Sequence, residues 1–221
     1  MIPIFSKILD TPFDDNLKEV FYSCLVDRHK KTLYTLPPKN LNLSLMETAA
    51  EFKNTVKYMS DTLRGTGKSF ISHGHSFRIS SDLSALTYYI HNELHNTVSE
   101  IIKMPLKHDS IIHDAYAYVS NSTDFKGGIH NHKSTSTFTG VYYLNVPSLD
   151  SGRLNFYDDN KNLIYSHQPV KDELIIFPNY LNHYPQKSNS DLYRIAINVE
   201  IIAPIEWKVP MEYNVQVVHI N

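Results

Sequence analysis

Two kinds of hydrophobic alternation divide the chain. In the first half apolar residues recur every three or four positions, and in the second they recur every two. In DNLKEVFYSCLVDRHKK, Leu17, Val20, Phe21, Cys24 and Leu25 fall on one helical face. LSLMETAAEFKNTVKYMSDTL carries Leu45, Ala49, Phe52, Val56, Met59 and Leu63 on a single stripe, with Ser44 and Glu47 as a capping box at its start. A third helix is expected from near Asp82, with Leu83, Leu86, Ile90, Leu94, Val98 and Ile101 facing inward. Leu63–Gly74, which contains Gly65, Gly67 and Gly74, reads as a loop.

From about Ile111 the period changes. DAYAYVS, STFTGVYYLNV, RLNFY, NLIYSHQPV, ELIIFP, YRIAINVEII and EYNVQVVHI are short, β-branched and aromatic, with turn residues between them. Seven or eight strands after three helices, none interleaved, argue against a parallel doubly wound sheet. They predict an α+β fold, an antiparallel sandwich or barrel with the helices on one face. Residues 1–221 read as one domain, with 1–110 mainly helical support and 111–221 the β core, because without the helices the sheet's outer face would be uncovered. The C-terminal strand EYNVQVVHI could form an exposed edge that pairs with a second copy as a homo-oligomer.

Composition narrows the function classes. With 42% hydrophobic residues, 15 Tyr and 10 Phe, the chain can build a substantial core. A net charge of −2 and scattered basic residues exert no pull toward nucleic acid or an anionic membrane. Cys24 is the sole cysteine, which excludes an intrachain disulfide and a thiolate zinc site and suits a reducing cytoplasm. The opening MIPIFSKILDTPFDDN lacks the basic start and long apolar stretch of a signal peptide. No apolar run approaches the roughly 18 residues of a membrane span. A soluble cytoplasmic protein is expected.

The candidate chemistry lies among the 12 histidines, and chance alone supplies somewhat under one H-x-H pair in such a chain. His73 and His75 form one such pair in the glycine-bearing loop and read as loop surface. His91 and His95, one helical turn apart, flank the apolar stripe of the third helix, and Glu93 is misplaced for an H-E-x-x-H metalloprotease. His130 and His132 in GIHNHKSTSTFTG differ in context. In an extended segment residues i and i+2 point to one face, so both imidazoles could approach one ion. A third ligand must come from another strand, and His183, after the apolar ELIIFP and a Pro–Asn loop, is the candidate. Eleven residues on, Arg194 stands in a run of Ile, Ala and Val. It shares a strand face with Ala196 and Asn198, opposite Ile195, Ile197 and Val199. Such a guanidinium could grip a carboxylate bidentately at depth, or pair with Asp191 at the surface.

HNH, TGVYYLNVP, SGRLNFYDD, DELIIFPNYLNHYP and RIAINVEI, in this order over roughly residues 114–202, resemble the 2-oxoglutarate/Fe(II)-dependent oxygenases, most of all the prolyl-hydroxylase-like branch and related phage and bacterial oxygenases. The resemblance implies a double-stranded β-helix, a cupin-like jelly roll supported by helices. It implies His130 as the first Fe(II) ligand and His183 as the distal one. Arg194 would hold the far carboxylate of 2-oxoglutarate with Ala196 leaving room beside it, Tyr143 would hydrogen-bond the same carboxylate, and Tyr118 would line the co-substrate pocket. One position departs from the pattern. The family's carboxylate, two residues after the first histidine, is here His132. Either His132 is the third ligand, leaving the ion at its full +2, or it turns away and leaves a coordination position vacant. Asp124, Asp158 and Asp159 are the nearest other carboxylates, none at the family's spacing.

The implied activity is hydroxylation of an unidentified small-molecule or peptide substrate, using dioxygen and decarboxylating 2-oxoglutarate to succinate, with ascorbate as a supporting reductant. Two other readings of the same residues stand beside it. One is a cupin-like three-histidine metal protein or dioxygenase that does not use 2-oxoglutarate, and the other is a non-enzymatic jelly-roll interaction module. Variable loops at Ser60–Ser76 and Thr123–Lys126 are where such folds grip their substrates.

Overall fold

In the computed structural model, residues 2–35, 58–60, 69–72, 81–106, 112–122, 128–208 and 211–220 are described. Two helices stand where the 3.6-residue period places them, α1 at Asp15–Thr35 and α2 at Ser81–Ile102. On α2, Leu86, Ile90, Leu94 and Val98 repeat every four residues and are fully buried, each burial contributing roughly 1.5–3 kcal/mol. On α1, Phe21 and Leu25 are buried and Leu17 packs beside them. Val20, expected inward, is 42% exposed because it lies about 100° round the helix from Phe21.

The strands are β1 (Ile2–Ile8), β2 (Tyr58–Ser60), β3 (Ser69–Ser72), β4 (Ile112–Ser120), β5 (Phe138–Asn145), β6 (Leu154–Tyr157), β7 (Leu163–His167), β8 (Glu173–Pro178), β9 (Asn182–Pro185), β10 (Arg194–Ile201) and β11 (Val215–His219). Eight of them form a main sheet in the order β11-β1-β8-β5-β10-β4-β3-β2, and three form a smaller one in the order β7-β6-β9. The main sheet is mixed. β1 runs parallel to β11, and the other neighbours pair antiparallel. This is the expected double-stranded β-helix with helices supporting one face.

Three elements depart from the pattern-based expectation. The opening IPIFSKI is a strand inside the main sheet, paired on both sides. Tyr58–Ser60, containing Met59, is a strand where the second helix was expected, and 36–57 and 61–68 lie outside the described residues. Ser69–Ser72, expected as loop, pairs with β4. In each case backbone pairing to a distant strand decides the conformation, and local periodicity carries no signal of it.

Two apolar layers result. Between helices and main sheet lie Phe21, Leu86, Leu94, Tyr142, Leu174, Ile195, Ile197 and Val199. Between the two sheets lie Ile4, Tyr118, Val141, Tyr143, Phe156, Ile175, Phe177 and Ala196. Strand β5 is covered on both faces, so nearly all of it is buried and it reads as a continuous apolar run. Gly140 lets α2 approach it, since a Cβ there would stand 3.0 Å from Leu94 Cδ1.

Candidate metal centre

The segment before β5 enters the smaller sheet at His130. Its backbone exchanges two hydrogen bonds with His183 of β9: His130 N–H donates to the His183 carbonyl at 3.1 Å, and His183 N–H donates back at 2.8 Å. This antiparallel bridge sets the two side chains next to each other, with ring centroids 4.4 Å apart. Two residues on, His132 N–H donates to the Asn179 carbonyl at 2.8 Å, which turns its ring toward the same point. The ligand atoms of His130, His132 and His183 all lie within 4.8 Å of one another, and among the described residues no other such cluster of potential ligands occurs.

Each imidazole is oriented through its Nδ1. That of His130 meets the Gly128 carbonyl at 2.9 Å, that of His183 the Leu181 carbonyl at 3.0 Å, and that of His132 the Glu200 carboxylate at 2.6 Å. A carbonyl only accepts, so in His130 and His183 Nδ1 carries the proton and the Nε2 lone pair is left for a cation. The Nε2 atoms of His132 and His183 stand 3.3 Å apart. Two ligands about 2.1 Å from one ion sit roughly 3.0–3.4 Å apart, so this spacing suits a shared ion. Burial, and then the neighbouring His130 and His132, hold the His183 pKa well below 6.5, so this ring is neutral at pH 7, as ligation requires. The donor set fits a divalent transition ion.

Arg194, at the start of β10, is also buried, 2% exposed. Its Nη1 donates to the Gly152 carbonyl at 3.0 Å and its Nη2 to Ser120 Oγ at 3.4 Å, and the guanidinium carbon stands 5.9 Å from the Tyr118 ring centroid. Gly152 has φ +91°, and a Cβ there would meet Gln186 O at 2.3 Å and Arg194 Nη1 at 2.8 Å, so only glycine allows this approach. Asp191 is exposed and takes the Ser122 hydroxyl. Ala196 pairs with Tyr118 of β4 on one side and Tyr143 of β5 on the other, so the small residue separates two buried tyrosines on the face that carries Arg194. Burial pushes the Tyr143 hydroxyl pKa far up, and the Arg194 charge opposes the rise.

The residues singled out by sequence therefore fall into two groups, His130, His132 and His183 in one and Arg194, Ala196, Tyr118 and Tyr143 in the other, with His183 packed on Phe156 and Phe177 of the apolar layer that also holds Tyr118, Tyr143 and Ala196. The other histidines separate from them. His91 is buried on α2 in apolar surroundings, and His73 and His75 lie outside the described residues. Among the alternative carboxylates, Asp158 closes a turn by accepting from Asn162, Asp159 is exposed, and Asp124 lies outside the described residues. Glu200 was missed. It is 1% exposed and continues the Arg194–Ala196–Asn198 face by one more step of two, and that alternation was the available signal.

No family model matches the sequence, and no curated protein sequence is significantly similar to it. Solved structures are similar in fold. A prolyl-4-hydroxylase from Pseudomonas putida aligns over 86% of this chain and 89% of its own, with a TM-score of 0.53 and 12% identity. The non-heme alpha ketoglutarate dependent epimerase SnoN of nogalamycin biosynthesis aligns over 75% and 74%, with a TM-score of 0.50 and 9% identity. The chain thus has the fold of the 2-oxoglutarate/Fe(II) oxygenases, prolyl hydroxylases included, as its motif order implies.

Proposed function

We propose that the protein is an Fe(II)- and 2-oxoglutarate-dependent dioxygenase that hydroxylates its substrate. The observation that carries this is the convergence of three imidazoles, in a chain that also buries an arginine, on the fold that such oxygenases use. His130, His132 and His183 would hold the ion. Imidazole suits iron among several metals, so the choice of iron rests on the company of Arg194. When bound, iron with 2-oxoglutarate supplies the oxidation: one oxygen atom of O2 goes to the substrate C–H, the other to succinate, and CO2 leaves.

The chain's own residues bind and orient. Arg194 would grip the far carboxylate of 2-oxoglutarate through its planar donor fork, and the Tyr143 hydroxyl would donate to that carboxylate. Ala196 leaves room between Tyr118 and Tyr143 for the co-substrate chain. The apolar walls of Phe156, Phe177 and Ile175 exclude water, which strengthens each polar contact inside. Backbone carbonyls at Gly128 and Leu181 keep the Nδ1 protons in place, so the ligating nitrogens need no reorganisation.

The test is succinate release from 2-oxoglutarate with Fe(II) and ascorbate. Release that depends on both His183 and Arg194 supports the assignment, and release untouched by Arg194→Ala refutes the role given to the arginine. The all-imidazole donor set favours a second reading, a metal protein that needs no 2-oxoglutarate. Calorimetry separates the two, since that protein binds the ion and not the co-substrate. Dioxygen is the implied gaseous substrate in the first reading, and no helix among the described residues is long and apolar enough to cross a membrane.

A further inference from the structure

The substitution of histidine for the family's carboxylate at position 132 removes a negative charge from the metal's coordination sphere, and the structure places another carboxylate directly behind it. Glu200 projects from β10 between the sheets, is 1% exposed, and sets Oε1 2.6 Å from His132 Nδ1. A carboxylate buried this far costs several kcal/mol unless matched by a cation or strong donors. His132 is a neutral donor at that nitrogen when its Nε2 ligates. A cation on the far side of the ring would polarise the imidazole and strengthen its contact with the carboxylate.

We infer that Glu200 is a positioning residue that restores to this centre, through the His132 ring, the single negative charge that an H-x-D site carries on the metal itself. His132 then contributes more than a neutral ligand. The Glu200–His132 pair acts as one anionic donor unit, and the dication is offset to about the same net charge as with two histidines and a carboxylate. The inference explains why His132 does not turn away: its Nδ1 stands 2.6 Å from Glu200 on the main sheet, which leaves its Nε2 3.3 Å from that of His183. It rests on the metal-binding part of the proposed function and is independent of 2-oxoglutarate.

The test is Mn(II) calorimetry on wild type, Glu200→Gln, His132→Asp and the double variant, with oxalate titrated into the Co(II)-loaded proteins and followed by visible absorption. Gln keeps an acceptor for Nδ1–H and removes only the charge. Mn(II) affinity is expected to fall about tenfold or more in Glu200→Gln, while oxalate, a dianion that does not need Arg194, binds several-fold more tightly. A merely structural contact would weaken both. His132→Asp alone sets two carboxylates against each other. The double variant is expected to bind Mn(II) at least tenfold more tightly than either single variant. Mn(II) affinity within twofold of wild type in Glu200→Gln, or losses that simply add in the double variant, would overturn the inference. Wild-type protein that binds Mn(II) but turns over no 2-oxoglutarate sinks the oxygenase reading and leaves Glu200 to be judged by the metal results. Wild-type protein that binds no divalent ion sinks both.

Discussion

His130 and His183 are reciprocal backbone partners: each donates its N–H to the other's carbonyl, and their rings stand 4.4 Å apart. A strand-to-strand bridge thus fixes two of the three imidazoles to within the tolerance of a single ion, with side-chain freedom left only for fine adjustment.

Ion binding should therefore depend on all three rings and should stabilise the fold. Ala at His130, His132 or His183 is expected to weaken Mn(II) binding at least 100-fold in calorimetry. Mn(II) at 100 times its dissociation constant should stabilise the wild type by about 2.7 kcal/mol, seen as a raised Tm that a chelator reverses. Variants that unfold at the wild-type Tm with or without the ion would support the assignment.

Arg194→Ala should leave ion affinity nearly unchanged and raise the KM for 2-oxoglutarate by roughly 100-fold, since two charge-assisted hydrogen bonds are lost. Gly152→Ala acts on the same group from behind. Its Cβ would meet the Gln186 carbonyl and Arg194 Nη1 at a backbone angle that disfavours any L side chain. A loss of about 2–4 kcal/mol in denaturant unfolding is expected, with impaired co-substrate binding and retained ion binding.

His91 offers a test of packing by pH. Burial pulls its pKa down to about 4, and its Nε2 has no hydrogen-bond partner among the described residues. The unfolded chain takes up this proton near pH 6.5 and the folded one does not until about 4, so stability drains away as pH falls across that window. The contribution is on the order of 3 kcal/mol at most. His91→Leu should be more stable than wild type at pH 5, and the difference should shrink toward pH 7.

Glu173 gives the same direction of pH dependence by another route, a carboxylate that the fold stabilises. Burial alone would raise its pKa, but His167 at 2.9 Å, Ser6 at 2.7 Å and the Val170 N–H at 3.1 Å outweigh it and hold the carboxyl below its usual range. Its stabilisation is present above the unfolded carboxyl's pKa and is lost as pH falls through the lower folded value. Glu173→Gln should cost about 1–3 kcal/mol at pH 7, a gap that closes in acid-unfolding curves as pH falls below the ordinary carboxylate range.

The period of apolar residues was enough to place α1, α2, β4 to β8, β10 and β11, because each of those elements carries a face that its own sequence must pattern. The same alternation put Arg194 and Ala196 on one face of β10 and Ile195, Ile197 and Val199 on the other, as the two apolar layers now display. H-x-H on an extended segment likewise announced a pair of rings with one direction in common. What the chain could not announce locally was decided by partners far away. β1 lies between β8 and β11, and Met59 lies in a strand although its neighbours alternate like a helix. Glu200 is the clearest case. In sequence its alternation with Arg194, Ala196 and Asn198 marks the face it lies on, but only the packing of one sheet on the other brings it to His132, because contacts across a barrel are set by the pairing of strands.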